Sequence, residues 1–188
     1  MRTLSHAPAP APFRQVGHLC SAIRKLAAVT TPDEATEPLY RGIRGELPRS
    51  FWVRDENGMV TATDRAFMST SLERRTPCSY MSDSGANVLW ELQPSLESDG
   101  ALHRGADISL IAQFAHEREV LFPPFTMLTV LPCAGEGEAE GEQDPQSPAR
   151  GTWRRVLGAP AAAAAEHSEM GSEGGKTFLR VRVEPSFV

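Results

Sequence analysis

The chain has 188 residues, a length that suits one domain with or without a tail. It carries 24 acids against 19 bases, a net charge of −5, which argues against a protein that grips nucleic acid by its phosphates, because that needs a basic face. Apolar residues make up 40%, and Gly and Pro number 15 each, so part of the length is expected to lie outside any core. No apolar run approaches the roughly 20 residues a membrane helix needs.

Residues 1–12 are rich in Ala and Pro and offer no apolar core of the kind a secretion signal requires. They are expected to be disordered, and the cytoplasm is the default location; a longer N-terminus would reopen secretion. Phe13 to Ala28 places Phe13, Val16, Cys20, Ile23 and Ala27 at helical spacing, and Thr30-Thr31-Pro32 ends that helix. Beyond it the period changes. Pro38 to Ile43 is expected to be a short strand, and Gly58 to Leu72 holds one or two more. Asn87 to Gln93 alternates, with Val88, Trp90 and Leu92 on one face. Glu119 to Phe122 and Phe125 to Leu131 follow, split by Pro123-Pro124, and Thr177 to Val183 alternates Leu179, Val181 and Val183 with Arg180 and Arg182.

Between the last two of these the composition collapses. Residues 133–175 hold eight acids and three bases, while the rest of the chain is balanced at 16 against 16. Alternating Gly and Glu, then a five-alanine run, cannot bury enough apolar surface to offset the entropy of ordering. This stretch is expected to be a disordered acidic insertion with Trp153 to Leu157 as its one sticky patch. The folded part is therefore 13–132 with 176–188. One helix followed by about six strands predicts an α+β domain of two packed, mainly antiparallel sheets with a short helical part at the N-terminus. Cys20, Cys78 and Cys133 are odd in number and far apart. They suit free thiols in a reducing compartment and form no metal-ligand spacing, so no metal is expected.

Three short segments carry chemistry. In Leu39-Tyr40-Arg41-Gly42-Ile43 an arginine interrupts an apolar strand, which is costly unless it meets an anion. A pyrophosphate suits its planar fork, and so does a protein carboxylate. Gly42 leaves backbone open to close approach. In Met68-Ser69-Thr70-Ser71-Leu72, three hydroxyls among apolar neighbours are able to bond across strands or to hold a carboxylate in place. In Phe114-Ala115-His116-Glu117-Arg118-Glu119, the two glutamates stand two apart at a strand entrance, so both are expected on one face. Such a pair divides labour between base and electrostatic stabiliser, or it is a solvated surface; His116 reads as solvated.

Taken in this order, Tyr-Arg-Gly, Phe-Met-Ser-Thr-Ser and Glu-Arg-Glu-Val-Leu-Phe-Pro-Pro resemble the motifs of the Arg–Ser–Glu branch of the ADP-ribosyltransferases, in particular the NAD(P)-arginine mono-ADP-ribosyltransferases. The resemblance covers roughly Leu26 to Val130, with Thr177 to Val183. It implies the ADP-ribosyltransferase-like fold and a glycosyl transfer from NAD to arginine side chains of a protein acceptor, releasing nicotinamide. It also implies roles. Glu119 stabilises the cationic ribose, Ser69 orients Glu119 or the nicotinamide ribose, Arg41 holds the pyrophosphate, and the Gly42 backbone meets the nicotinamide amide. Thr70 and Ser71 join the cofactor-binding set, Glu117 aligns the target guanidinium, and Phe114 faces the target or anchors the core. Arg74, Arg75 and Tyr80 fall where the family has a loop over NAD.

Two features depart from the family pattern. One helix precedes Tyr40-Arg41 where many relatives carry several, and a long acidic insertion precedes the final strand. A glycohydrolase that passes the ribose to water, and a non-catalytic module of the same fold, are the alternatives that this sequence leaves open.

Overall fold

The computed structural model describes residues 11–29, 37–94, 103–133 and 161–187. Helix α1 spans Ala11–Ala27, with Arg24 and Lys25 in its last turn, where cations suit the helix dipole. Its C-terminal half is the anchored part: Ile23 and Ala27 are buried, while Phe13 and Leu19 stay exposed. Strands β1 (Leu39–Arg44), β2 (Thr61–Asp64) and β3 (Met68–Ser71) precede a one-turn helix, α2 (Arg75–Ser79). Then come β4 (Asn87–Leu92), β5 (Ala106–Asp107), β6 (Glu119–Phe122) and β7 (Thr126–Val130), and after them helix α3 (Ala161–His167), β8 (Ser168–Glu173) and β9 (Lys176–Ser186).

These nine strands join one hydrogen-bonded sheet in the order β2-β7-β9-β4-β1-β3-β6-β5, with β8 paired to β9. Only β4 and β9 run parallel; β4 is central, and Val88, Leu89, Trp90 and Leu92 are all buried. The α+β class expected from the sequence holds. The two expected sheets are in fact two halves of one, joined through the single residue pair Tyr40 opposite Ser71. Both halves feed a common core, in which Met68, Val120 and Phe122 meet Leu39, Trp90, Leu92, Leu128, Val181 and Val183.

That short joint matters for the site. The Gly45 N–H donates to the Ala86 carbonyl, and β1 and β4 stay in register from there to Leu39 opposite Leu92. Antiparallel alternation then turns the peptide groups of Tyr40, Gly42 and Arg44 away from β4. Past Tyr40 that edge of β1 has no strand partner among the described residues.

The disordered insertion needs correction at its end. Residues 161–175 are not disordered: α3 and β8 fold there, and β8 pairs with β9 from Ser168 opposite Val181 to Glu173 opposite Lys176. Gly174 and Gly175 both take positive φ, as a two-residue hairpin turn requires. Residues 134–160, including Trp153 to Leu157, lie outside the described residues, as do 1–10 of the expected disordered N-terminus; residues 11 and 12 already belong to α1. No helix among the described residues is long and apolar enough to cross a membrane.

Candidate active site at the joint between the two sheet halves

A cavity of about 300 Å³ opens where β1 parts from β3, at the small end of ligand-binding pockets. Seven of the eight residues singled out from sequence line it: Arg41, Gly42, Ser69, Thr70, Ser71, Glu117 and Glu119. Phe114 does not. It lies on the outside, 54% exposed, edge-on to His116, which removes the core-anchor reading. Among the described residues no group of three or more His, Cys, Asp or Glu side chains is arranged to hold a metal.

The pairing of β3 with β6 builds the acidic wall. Ser71 stands opposite Glu119, and Ser69 opposite Leu121, so Ser69, Ser71 and Glu119 share one face. The Ser69 hydroxyl donates to Glu119 Oε1 at 2.6 Å. Ser71, nearly buried, donates instead to the Glu117 carbonyl at 2.6 Å. Thr70 faces the other way and bonds the Val120 carbonyl at 2.7 Å, so its hydroxyl serves the ladder.

Glu117 and Glu119 reach the same cavity, though not by strand alternation. Glu117 ends a 3-10 turn, Ala115–Glu117, and Arg118 follows at φ 46°, ψ 56° in the left-handed region. A non-glycine residue there is strained by about 1–3 kcal/mol and persists only when its surroundings hold it. Here the Arg118 carbonyl accepts from the Leu72 N–H at 3.2 Å, and its guanidinium pairs with Glu73 at 3.1 Å.

Arg41 meets one of the two partners expected of it, a protein carboxylate, and a backbone carbonyl besides. One guanidinium nitrogen donates to the Ser69 carbonyl at 3.0 Å, and another pairs with Asp64 at 3.1 Å. Asp64 had no signal in the sequence, because nothing local ties the end of β2 to β1. The guanidinium has five N–H groups in all, so these two partners among the described residues leave donors over for a ligand. Gly42 has a packing reason of its own: a Cβ there would fall 2.8 Å from the Pro77 carbonyl oxygen. Absence of a side chain thus lets α2 close against β1, while the Gly42 peptide faces the cavity.

Helix α2 supplies the remaining wall with Thr76 and Pro77, and Tyr80, just past its end, completes it. Of the three residues foreseen near a covering loop, Tyr80 is the one in the cavity. Its hydroxyl donates to Glu117 Oε1 at 2.5 Å; that bond, and then the Glu117 charge, push the phenol pKa above its usual value. Arg74 and Arg75 turn to Glu173, at 2.9 and 3.9 Å.

No protein-family model matches the chain, and no curated protein does. Solved structures do match. The ADP-ribosyltransferase HopU1 of Pseudomonas syringae pv. Tomato aligns with a TM-score of 0.52 at 21% identity, over 97% of this chain and 60% of its own. This chain has the ADP-ribosyltransferase fold. The Vis ADP-ribosyltransferase of Vibrio splendidus, in complex with agmatine, aligns at 0.48 and 16% identity, over 97% of this chain and 63% of its own. The catalytic domain of VsdC from Aeromonas hydrophila aligns at 0.46 and 18%, over 96% and 78%. The chain thus spans about 60% of the length of HopU1 and of Vis.

Proposed function

We propose that this protein is a mono-ADP-ribosyltransferase that moves ADP-ribose from NAD to arginine side chains of a protein acceptor and releases nicotinamide. The observation that carries this reading is the Ser69–Glu119 hydrogen bond at 2.6 Å in a cavity that also holds Arg41 and Glu117. Breaking the bond from nicotinamide to the ribose C1′ develops positive charge on the sugar. A fixed carboxylate stabilises that charge without having to reorganise at the moment of reaction. Glu119 takes this role, and Ser69 fixes which oxygen faces the sugar.

The residues present fit NAD. Arg41, with five N–H donors, suits a pyrophosphate oxygen, and the Gly42 peptide, turned away from β4, suits the nicotinamide amide, which is both donor and acceptor. Glu117 faces the acceptor. A free guanidinium is always protonated, so its nitrogen becomes a nucleophile only as Glu117 takes a proton from it. The C1′–N bond to the acceptor forms as the nicotinamide bond breaks.

Incubation with labelled NAD and an arginine-rich acceptor protein tests this, with mass spectrometry to locate the modified residue. Label is expected on arginine, and Glu119→Gln is expected to remove it. Folded protein that neither transfers label nor consumes NAD overturns the proposal.

A further inference from the structure

We propose that Tyr80 is a positioning residue that aims the Glu117 carboxylate at the acceptor, an inference that rests on the transferase reading above. Three observations carry it. First, the Tyr80 hydroxyl donates to Glu117 Oε1 at 2.5 Å, across 37 positions of sequence, while Ser71 holds the Glu117 carbonyl at 2.6 Å from the other side. Glu117 is therefore tied at both its backbone and its carboxylate. Second, Glu117 sits on a three-residue turn before the left-handed Arg118. No regular ladder fixes its rotamer there, and a glutamate side chain left free retains much of its rotamer entropy.

Third, the protein anchors Tyr80 although its side chain is 56% exposed. Lys176, at the start of β9, donates to the Ser79 and Met81 carbonyls at 2.8 and 2.9 Å. Arg44, at the end of β1, donates to the Tyr80 carbonyl at 2.6 Å. Three consecutive carbonyls are thus clamped by two basic residues from separate strands. That arrangement fixes the backbone that carries the phenol.

The role adds no chemical step. When the acceptor nitrogen bonds C1′ and nicotinamide leaves, the guanidinium proton passes to Glu117, and the phenol keeps its own. Tyr80 occupies Oε1 of a glutamate that lines the cavity and leaves Oε2 for the acceptor, so the base is oriented before the acceptor arrives. Cleavage of NAD by water depends on Glu119 and does not require this aim.

The test compares ADP-ribose transfer to free arginine with NAD cleavage on the same preparations of wild type and Tyr80→Phe. Losing a hydrogen bond to a charged group, transfer is expected to fall about tenfold further than cleavage. Equal changes in the two rates overturn the role. Ultraviolet titration reads the contact itself, because Tyr40 and Tyr80 are the two tyrosines of the chain. With Glu117→Gln, one phenol is expected to ionise at lower pH than in wild type; superimposable curves overturn the Tyr80–Glu117 contact. Folded wild type that neither transfers nor cleaves overturns the transferase reading and this role with it, whatever the titration shows.

Discussion

Ser69 and Glu119 sit diagonally across the β3–β6 ladder, and one hydroxyl bridges them at 2.6 Å. Diagonal neighbours on one face are within reach of a long side chain, so a regular antiparallel pair is enough to fix a carboxylate that the chemistry needs immobile. Replacing Ser69 with Ala removes the donor and frees the glutamate rotamer. NAD cleavage is expected to fall about 10- to 100-fold, from the loss of a charge-assisted bond. Because Ser69 is exposed, the thermal midpoint is expected to change little. A Ser69→Ala protein that cleaves NAD at the wild-type rate would contradict the role.

Arg41 is held from two directions, by the Ser69 carbonyl and by Asp64. The guanidinium plane is thereby set before any ligand arrives. Lysine keeps the charge but is a single point donor without the planar fork. Arg41→Lys is expected to weaken NAD binding about tenfold, measured by calorimetry, while far-ultraviolet circular dichroism stays unchanged. Equal affinity would mean that charge alone, and not the fork, serves the pyrophosphate.

The legible parts of the site are those in which chemistry-bearing residues interrupt a strand of clear period. Arg41 and Gly42 break an apolar run, and Ser69, Thr70 and Ser71 form a hydroxyl run that the β3–β6 register then aligns with Glu119. Glu117 lines the cavity by a route its spacing does not show, since a 3-10 turn and a left-handed Arg118 bring it there instead of strand alternation. Asp64 and the Tyr80–Glu117 contact were hidden because long-range packing makes them, the first by bringing β2 to Arg41 and the second through Arg44 and Lys176 on distant strands. The folded end of the acidic stretch was masked by composition. β8 is polar and pairs only because β9 is long enough to carry β8 and β7 end to end along one edge. The Gly174-Gly175 turn was the one local sign of that hairpin. At Gly171 a Cβ would lie 2.6 Å from the Phe178 ring, so that glycine too has a packing role and is not mere low complexity.

Gly42 tests how closely packing and site are linked. An added Cβ would meet the Pro77 carbonyl oxygen at 2.8 Å and the Met81 terminal methyl at 3.3 Å. The methionine is able to swing aside, but the backbone oxygen is not, so α2 must move off β1. Gly42→Ala is expected to cost about 1–3 kcal/mol by overpacking, lowering the thermal midpoint by roughly 2–4 °C for each kcal/mol in a chain of this size. The displaced α2 carries Tyr80 away from Glu117, so transfer is expected to fall further than NAD cleavage. An unshifted midpoint would show that the helix accommodates the methyl group.

His167 gives the fold a pH dependence separate from the site. Its side chain is buried at the end of α3, and desolvation, the largest influence, lowers its pKa below the ordinary 6.5 despite the neighbouring Glu166. The unfolded chain therefore binds a proton at a higher pH than the folded one does. Stability is complete above about pH 6.5 and declines as the pH falls from there toward the lower pKa of the folded state. Denaturant midpoints measured from pH 7.5 down to pH 5 are expected to decrease, and more steeply in wild type than in His167→Gln, which has no proton to bind at that position. Parallel slopes for the two proteins would assign the acid sensitivity to other groups.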